Sequence, residues 1–271
     1  MLKIKNILLW LALGLGLMSC SEYSKVLNKG TSIEQYNLAS KLFEAGKYNK
    51  ALQLFEKIMP DFQGKPQMER IQFMVAQSNF ETKNYLMSAY HFERFTKNYP
   101  RSTKKEEASF LSAYSYYLST PRSSLDQKDT YTAIESFQSF INKYPDSDKV
   151  ADANKYIKEM QLKLEKKQFD IAYQYYHTYQ YKAAVVAFDN FLSDNLGTSY
   201  KEDALFYKSK AAHDLALNSI DAKKEIRIKE ALQAIERLER NFKESKYKNE
   251  VEKMKTRLTE ELNAITSITK Q

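Results

Sequence analysis

Large apolar residues recur along this chain at spacings of three and four, each set led by a small residue. Five such sets follow one another: Ala51-x-x-Leu54-Phe55, Ser88-x-x-x-Phe92-x-x-Phe95, Ala133-x-x-x-Phe137-x-x-Phe140, Ala184-x-x-x-Phe188-x-x-Phe191 and Ala231-x-x-x-Ile235-x-x-Leu238. Those intervals put the large side chains on one stripe of a helix. The second and third sets run into Tyr99-Pro100-Arg101-Ser102 and Tyr144-Pro145-Asp146-Ser147, where proline stops the helix and the next Ser or Asp can cap another. The fourth set ends differently, in Asn195-Leu196-Gly197-Thr198, and the fifth in Asn241-Phe242-Lys243-Glu244-Ser245. With 6 Gly and 5 Pro in 271 residues, few positions break a helix, so the pattern predicts an all-α chain.

Residues 35–56 resemble one tetratricopeptide repeat, with Ala39 and Ala51 where its two helices meet, Gly46 and Tyr48 at the turn, and Phe55 in the core. One such repeat cannot bury its apolar face alone, so stacking is obligatory. The small positions 51, 88, 133, 184 and 231 are spaced more widely than the ~34 residues of a plain repeat. The excess is expected in loops at residues 61–66 and 119–129, and in an unbroken helix over 149–167. The fold class predicted is therefore a tetratricopeptide-repeat solenoid of about five helix pairs. Its two lobes are expected at residues 32–148, with repeats 1–3, and at 149–271, with the connecting helix and repeats 4–5. The turns after Thr259 are expected to fray.

Residues 1–19 read as a secretory signal: Lys3 and Lys5, an apolar run to Leu17, then Ser19 before Cys20. Leu17-Met18-Ser19-Cys20 resembles the lipobox of bacterial lipoproteins, in which the cysteine carries N-acyl and S-diacylglycerol chains. Cys20 is the one cysteine in the chain, so no internal disulfide is available. Residues 20–31 are expected to be a lipidated tether ending in a helix cap at Thr31. The formal net charge is +8, but Lys sits beside Glu, as in Lys104-Lys105-Glu106-Glu107. Such mixed runs describe solvated helix faces, and nucleic acid is not an expected partner.

No catalytic set has useful spacing. His91, His177 and His213 each stand apart, His213 and Asp214 are expected to point to different helix faces, and no phosphate loop or nucleophile elbow occurs. Neither a metal nor a catalytic residue is assigned. Tyr173, Tyr175, Tyr176, Tyr179 and Tyr181 form a dense cluster; Tyr175 and Tyr181 are read as core, while Tyr176 and Tyr179 fit either core or a docking patch. In tetratricopeptide proteins certain first-helix positions line a groove for extended peptides. The matching positions here are Tyr36, Ser40, Phe43 and Glu44, then Arg70, Phe73, Gln77, Phe80 and Glu81. Phe73 and Phe80 could equally pack on a neighbouring helix.

The lipobox and five repeats, with Phe43-Glu44-Ala45-Gly46-Lys47-Tyr48, Phe140 to Ser147, Ala172-Tyr173-Gln174-Tyr175-Tyr176 and the insert Ser124 to Asp129, together resemble the BamD family. Those proteins are lipoproteins of the outer-membrane barrel assembly machinery. The resemblance implies a non-enzymatic scaffold, lipid-anchored through Cys20 on the periplasmic face of the outer membrane. Its second lobe, roughly 181–271, would bind the periplasmic domain of a BamA-like barrel insertase, its first lobe would receive unfolded outer-membrane proteins, and other assembly lipoproteins would join. The alternative is a glycan- or nutrient-binding, or cell-wall-associated, helical-repeat lipoprotein; glycan binders commonly use exposed Trp platforms, and the single Trp here is Trp10, inside the signal segment.

Overall fold

The computed structural model describes residues 22–268; the signal segment and Cys20 lie outside them. The first elements are α1 (residues 22–29), α2 (Ser32–Glu44), α3 (Tyr48–Ile58), a 3-10 turn (Met59–Phe62), α4 (Gln67–Glu81) and α5 (Tyr85–Asn98). Then come α6 (Lys105–Ser119), α7 (Lys128–Lys143), α8 (Val150–His177), α9 (Tyr181–Asp194), α10 (Lys201–Leu217), α11 (Asp221–Asn241) and α12 (Lys248–Ile268). No strand occurs among the described residues. The connecting helix is longer than the breaker-free stretch 149–167 suggested, because nothing in 168–177 interrupts it either. Beyond Thr259 the backbone stays helical to Ile268.

All five small positions, Ala51, Ser88, Ala133, Ala184 and Ala231, are fully buried. Any larger side chain there would push the paired helices apart. Ser88 is polar, and its hydroxyl is matched to the carbonyl of Ala76 and to Ser115 Oγ, each at 3.1 Å. The large positions that follow, Phe55, Phe92, Phe95, Phe137, Phe140, Phe188, Phe191, Ile235 and Leu238, are buried too. Each is worth roughly 1.5–3 kcal/mol of burial, so the stripes read from the sequence are the cores.

Two turns repeat along the chain. Within a repeat, the residue two past the first helix takes a left-handed backbone: Gly46 (φ 68°), Lys83 (φ 62°) and Tyr179 (φ 62°). Each closes the same helix-ending pair of bonds, such as Gly46 N to Phe43 O at 3.0 Å with Lys47 N to Leu42 O at 2.8 Å. Tyr179 N to Tyr176 O (3.0 Å) and Gln180 N to Tyr175 O (2.9 Å) repeat it. Between repeats, Tyr99, Tyr144 and Asn195 end their helices with nearly one geometry (φ −123°, −133° and −126°; ψ 68°, 62° and 65°). Asn195-Leu196-Gly197 thus preserves the turn despite its sequence. Thr198 Oγ1 accepts from Tyr200 N at 3.1 Å, as Ser102 does from Lys104 N and Ser147 from Lys149 N. The serines therefore brace the turn rather than cap the helix.

The described residues divide into two compact units, 22–121 with 127–157, and 122–126 with 158–268. The first holds cores around Phe55 and Phe92, the second a larger core around Phe188, Phe206 and Leu238.

Candidate functional site

In the first unit, the end of α2 and one face of α4 border a groove of about 430 Å³. Phe43 and Glu44 enter from the end of α2, and Arg70, Phe73 and Gln77 from α4, where spacings of three and four keep them on one face. Phe73 forms the floor, edge-on to Phe92 and Phe95 with centroids 5.6 and 5.4 Å away. Lys104 Nζ lies 5.5 Å from the Phe73 centroid, and Arg70 pairs loosely with Glu44 at 3.5 Å. Phe73 thus packs on its neighbours and still lines the groove. The residues Glu69, Met74, Phe95 and Lys104 also line it; Glu69 lies four residues before Phe73, a signal readable in the sequence, whereas Lys104 arrives from the next repeat.

Four of the expected residues sit elsewhere, among them Glu81, exposed at the last position of α4. The Tyr36 ring packs on Phe62 of the 3-10 turn at 5.5 Å. Ser40 Oγ is buried with no hydrogen-bond partner among the described residues. Phe80 lies between Tyr85 and Tyr114, at 5.8 and 6.0 Å. Cys20 falls outside the described residues.

The second unit carries a wider, mostly apolar groove of about 870 Å³ where α8 turns into α9, bordered by α10. Tyr175, Tyr179, Tyr181, Val186 and Leu215 line it, with Lys182 at the edge. Tyr179 is 79% exposed and holds its left-handed backbone without being glycine. A bulky residue there is strained, and such strain gathers at functional positions.

The tyrosine reading needs correction. Tyr175 is not core but 38% exposed, and Tyr181 is half-buried in the groove wall, while Tyr176 packs against the interior. The reason is helical phase: Phe169, Ala172, Tyr173 and Tyr176 follow one another at spacings of three, one and three along the buried stripe, leaving Tyr175 on its flank. Tyr176 Oη donates to Asp214 Oδ2 at 3.1 Å. Burial, then the Asp214 carboxylate, pushes the Tyr176 hydroxyl well above its ordinary range. His213 and Asp214 do meet, with Nδ1 and Oδ1 2.8 Å apart, because two short side chains can close a local bond across adjacent positions.

Among the described residues no three His, Cys, Asp or Glu gather to hold a metal ion, and no helix is long and apolar enough to cross a membrane. Both grooves offer aromatic surface with charge at the rim, the chemistry of binding polypeptide.

The sequence profile of one family, YfiO, described as outer membrane lipoprotein, matches residues 28–225 and 163–267. The chain belongs to the YfiO outer membrane lipoprotein family. It is 27% identical over 173 residues to the outer membrane protein assembly factor BamD of Rickettsia prowazekii, covering 64% of this chain and 68% of that protein. With BamD of Caulobacter vibrioides it shares 23% identity over 183 residues, 68% of this chain and 60% of that one. The resemblance to BamD proteins therefore holds over about two thirds of each chain. Among solved structures, the TPR2AB domain–pHSP90 complex of yeast Sti1 aligns with a TM-score of 0.37 at 12% identity, covering 84% of this chain and 98% of that one. A TM-score that low carries no argument about function.

Proposed function

We propose that this YfiO-family chain is a non-enzymatic scaffold of outer-membrane β-barrel assembly, tethered by lipid on Cys20 at the periplasmic face. Its second unit would dock the periplasmic domain of a BamA-like insertase, and its first would receive unfolded outer-membrane proteins. Other assembly lipoproteins would complete the complex. The observation that carries this reading is the exposed tyrosine groove of a family member: Tyr175, Tyr179 and Val186 present apolar area to solvent. Tyrosine supplies large contact area at low conformational cost, the composition of an interface centre.

The first groove supports the precursor role. Phe43 and Phe73 offer apolar contact, while Arg70, Lys104, Glu44 and Glu69 offer both signs of charge around it. That mixture suits segments that alternate apolar and polar side chains, as barrel strands do. A photo-crosslinker placed at position 179 should capture an insertase domain in membranes, and one at position 70 should capture newly exported barrel precursors. Capture of saccharide-uptake or cell-wall proteins alone at both positions would overturn the reading.

A further inference from the structure

Lipoproteins commonly hold their folded part away from the bilayer on a spacer, and residues 20–31 were expected to be one. Instead residues 22–29 form α1, and α1 is fastened to the first repeat by both its face and its end. Tyr23 and Leu27, four apart on one face, pack into the core around Phe55. Tyr23 Oη donates to Gln53 Oε1 at 2.6 Å, and Lys50 Nζ sits 5.0 Å from the Tyr23 centroid. At the other end, Gln35 Nε2 donates to the carbonyls of Val26 and Leu27, each at 3.0 Å, and Lys57 Nζ donates to Leu27 O. These bonds satisfy helix-end carbonyls that a loose helix would leave to water. Gly30 packs so closely that a Cβ there would lie 2.5 Å from Val26 O, and Thr31 with Glu34 forms a capping box that starts α2 at once.

The pairings also fix direction. Tyr23 meets Lys50 and Gln53 near the start of α3, and Leu27 meets Lys57 near its end, so α1 runs alongside α3 in the same sense. The first turn of α1 therefore lies at the end of the repeat that carries the Gly46–Lys47 turn. Only Ser21 separates Cys20 from Glu22, a reach of at most ~7 Å between their Cα atoms.

We infer that the Gly46–Lys47 end of the first repeat is held against the lipid headgroups, so that the Phe43 end of the first groove opens at the membrane surface. The occupant of this surface is the bilayer itself, chosen by the place where the acylated residue enters and by exposed Lys25 and Lys47 with half-exposed Lys50 beside it. This inference rests on lipidation of Cys20.

The test uses the full lipidated chain in vesicles of phosphatidylethanolamine and phosphatidylglycerol. Lys47→Cys and Glu56→Cys variants, one just before α3 and one on its exposed face near the far end, each carry a fluorophore, and the lipid headgroups carry a spin-label quencher. With about 13 Å of helix between them, quenching at position 47 should exceed that at 56 by about threefold. Inserting about 12 Gly and Ser residues between Ser21 and Glu22, which leaves α1 docked, should bring the two positions to parity. Equal quenching in the uninserted protein, with acylation of Cys20 verified by mass, overturns the clamp and leaves the lipid reading standing. An unmodified Cys20 and no vesicle binding overturn both.

Discussion

The two grooves are both bordered by repeat helices yet differ in what they leave exposed. In the first unit the floor residue Phe73 is braced by Phe92 and Phe95, and charges of both signs stand at the rim. In the second, Tyr175, Tyr179 and Val186 face solvent directly, and Lys182 is the charged residue of the lining. Gly46 and Tyr179 occupy equivalent left-handed positions, one without a side chain and one with the most exposed tyrosine of the cluster. A repeat scaffold fixes backbone and core and leaves the turn residue free to vary, so binding character is set at positions that cost the fold little. Under the proposed function, an unfolded client and a folded protein partner would use these two different surfaces.

The shared scaffold predicts the largest effect. Phe55→Ala and Phe188→Ala, each removing a fully buried ring, should each lower unfolding free energy by about 3–5 kcal/mol in urea titrations. A cost below about 1 kcal/mol at either site would break the equivalence of the two cores.

Alkaline pH should separate the units next. Tyr176 and Tyr247, both in the second unit, have hydroxyls raised far above the ordinary value, chiefly by burial and then by Asp214 and Asp203. Unfolded tyrosine loses its proton near pH ~10, while these stay protonated when folded. The folded state then binds more protons than the unfolded one, so stability is full below that pH and falls as pH rises through the folded values. Tyr176→Phe and Tyr247→Phe should flatten the decline, followed by phenolate absorbance and urea midpoint. At neutral pH Tyr176→Phe should itself cost roughly 1 kcal/mol for the lost bond to Asp214.

A smaller and opposite effect is expected at Tyr179. Tyr179→Gly relieves a left-handed backbone and should hold or raise stability, by at most about 1 kcal/mol. Insertase-domain binding should nevertheless weaken by tenfold or so, which separates binding from folding in one variant. Smallest in stability is Arg70→Ala, whose loose pair with Glu44 is exposed on both sides. It should move the melting curve by no more than ~0.5 kcal/mol while reducing precursor capture at the first groove alone.

Much of the repeat was legible because its rule is local. A stripe with one small and two or three large residues must pair with a second helix, whatever lies around it, so Ala51, Ser88, Ala133, Ala184 and Ala231 declared themselves. The turn at Asn195-Leu196-Gly197 looked like a departure because its residues differ, yet Asn195 and Thr198 supply the same bonds as Tyr99 and Ser102. Backbone geometry is degenerate in sequence. The site was less legible. Phe43, Arg70, Phe73 and Gln77, positions taken from the tetratricopeptide pattern, border one groove, but Lys104 comes from another repeat, and Tyr36 packs on Phe62.

What the sequence determined by itself was helix, repeat and interior, since spacing of three and four and the scarcity of Gly and Pro act within a single turn. Tertiary structure alone decided which tyrosines face water and that residues 22–29 dock instead of trailing. Both depend on the rotational phase of one helix against another and on hydrogen bonds reaching across about thirty positions, as from Tyr23 to Gln53.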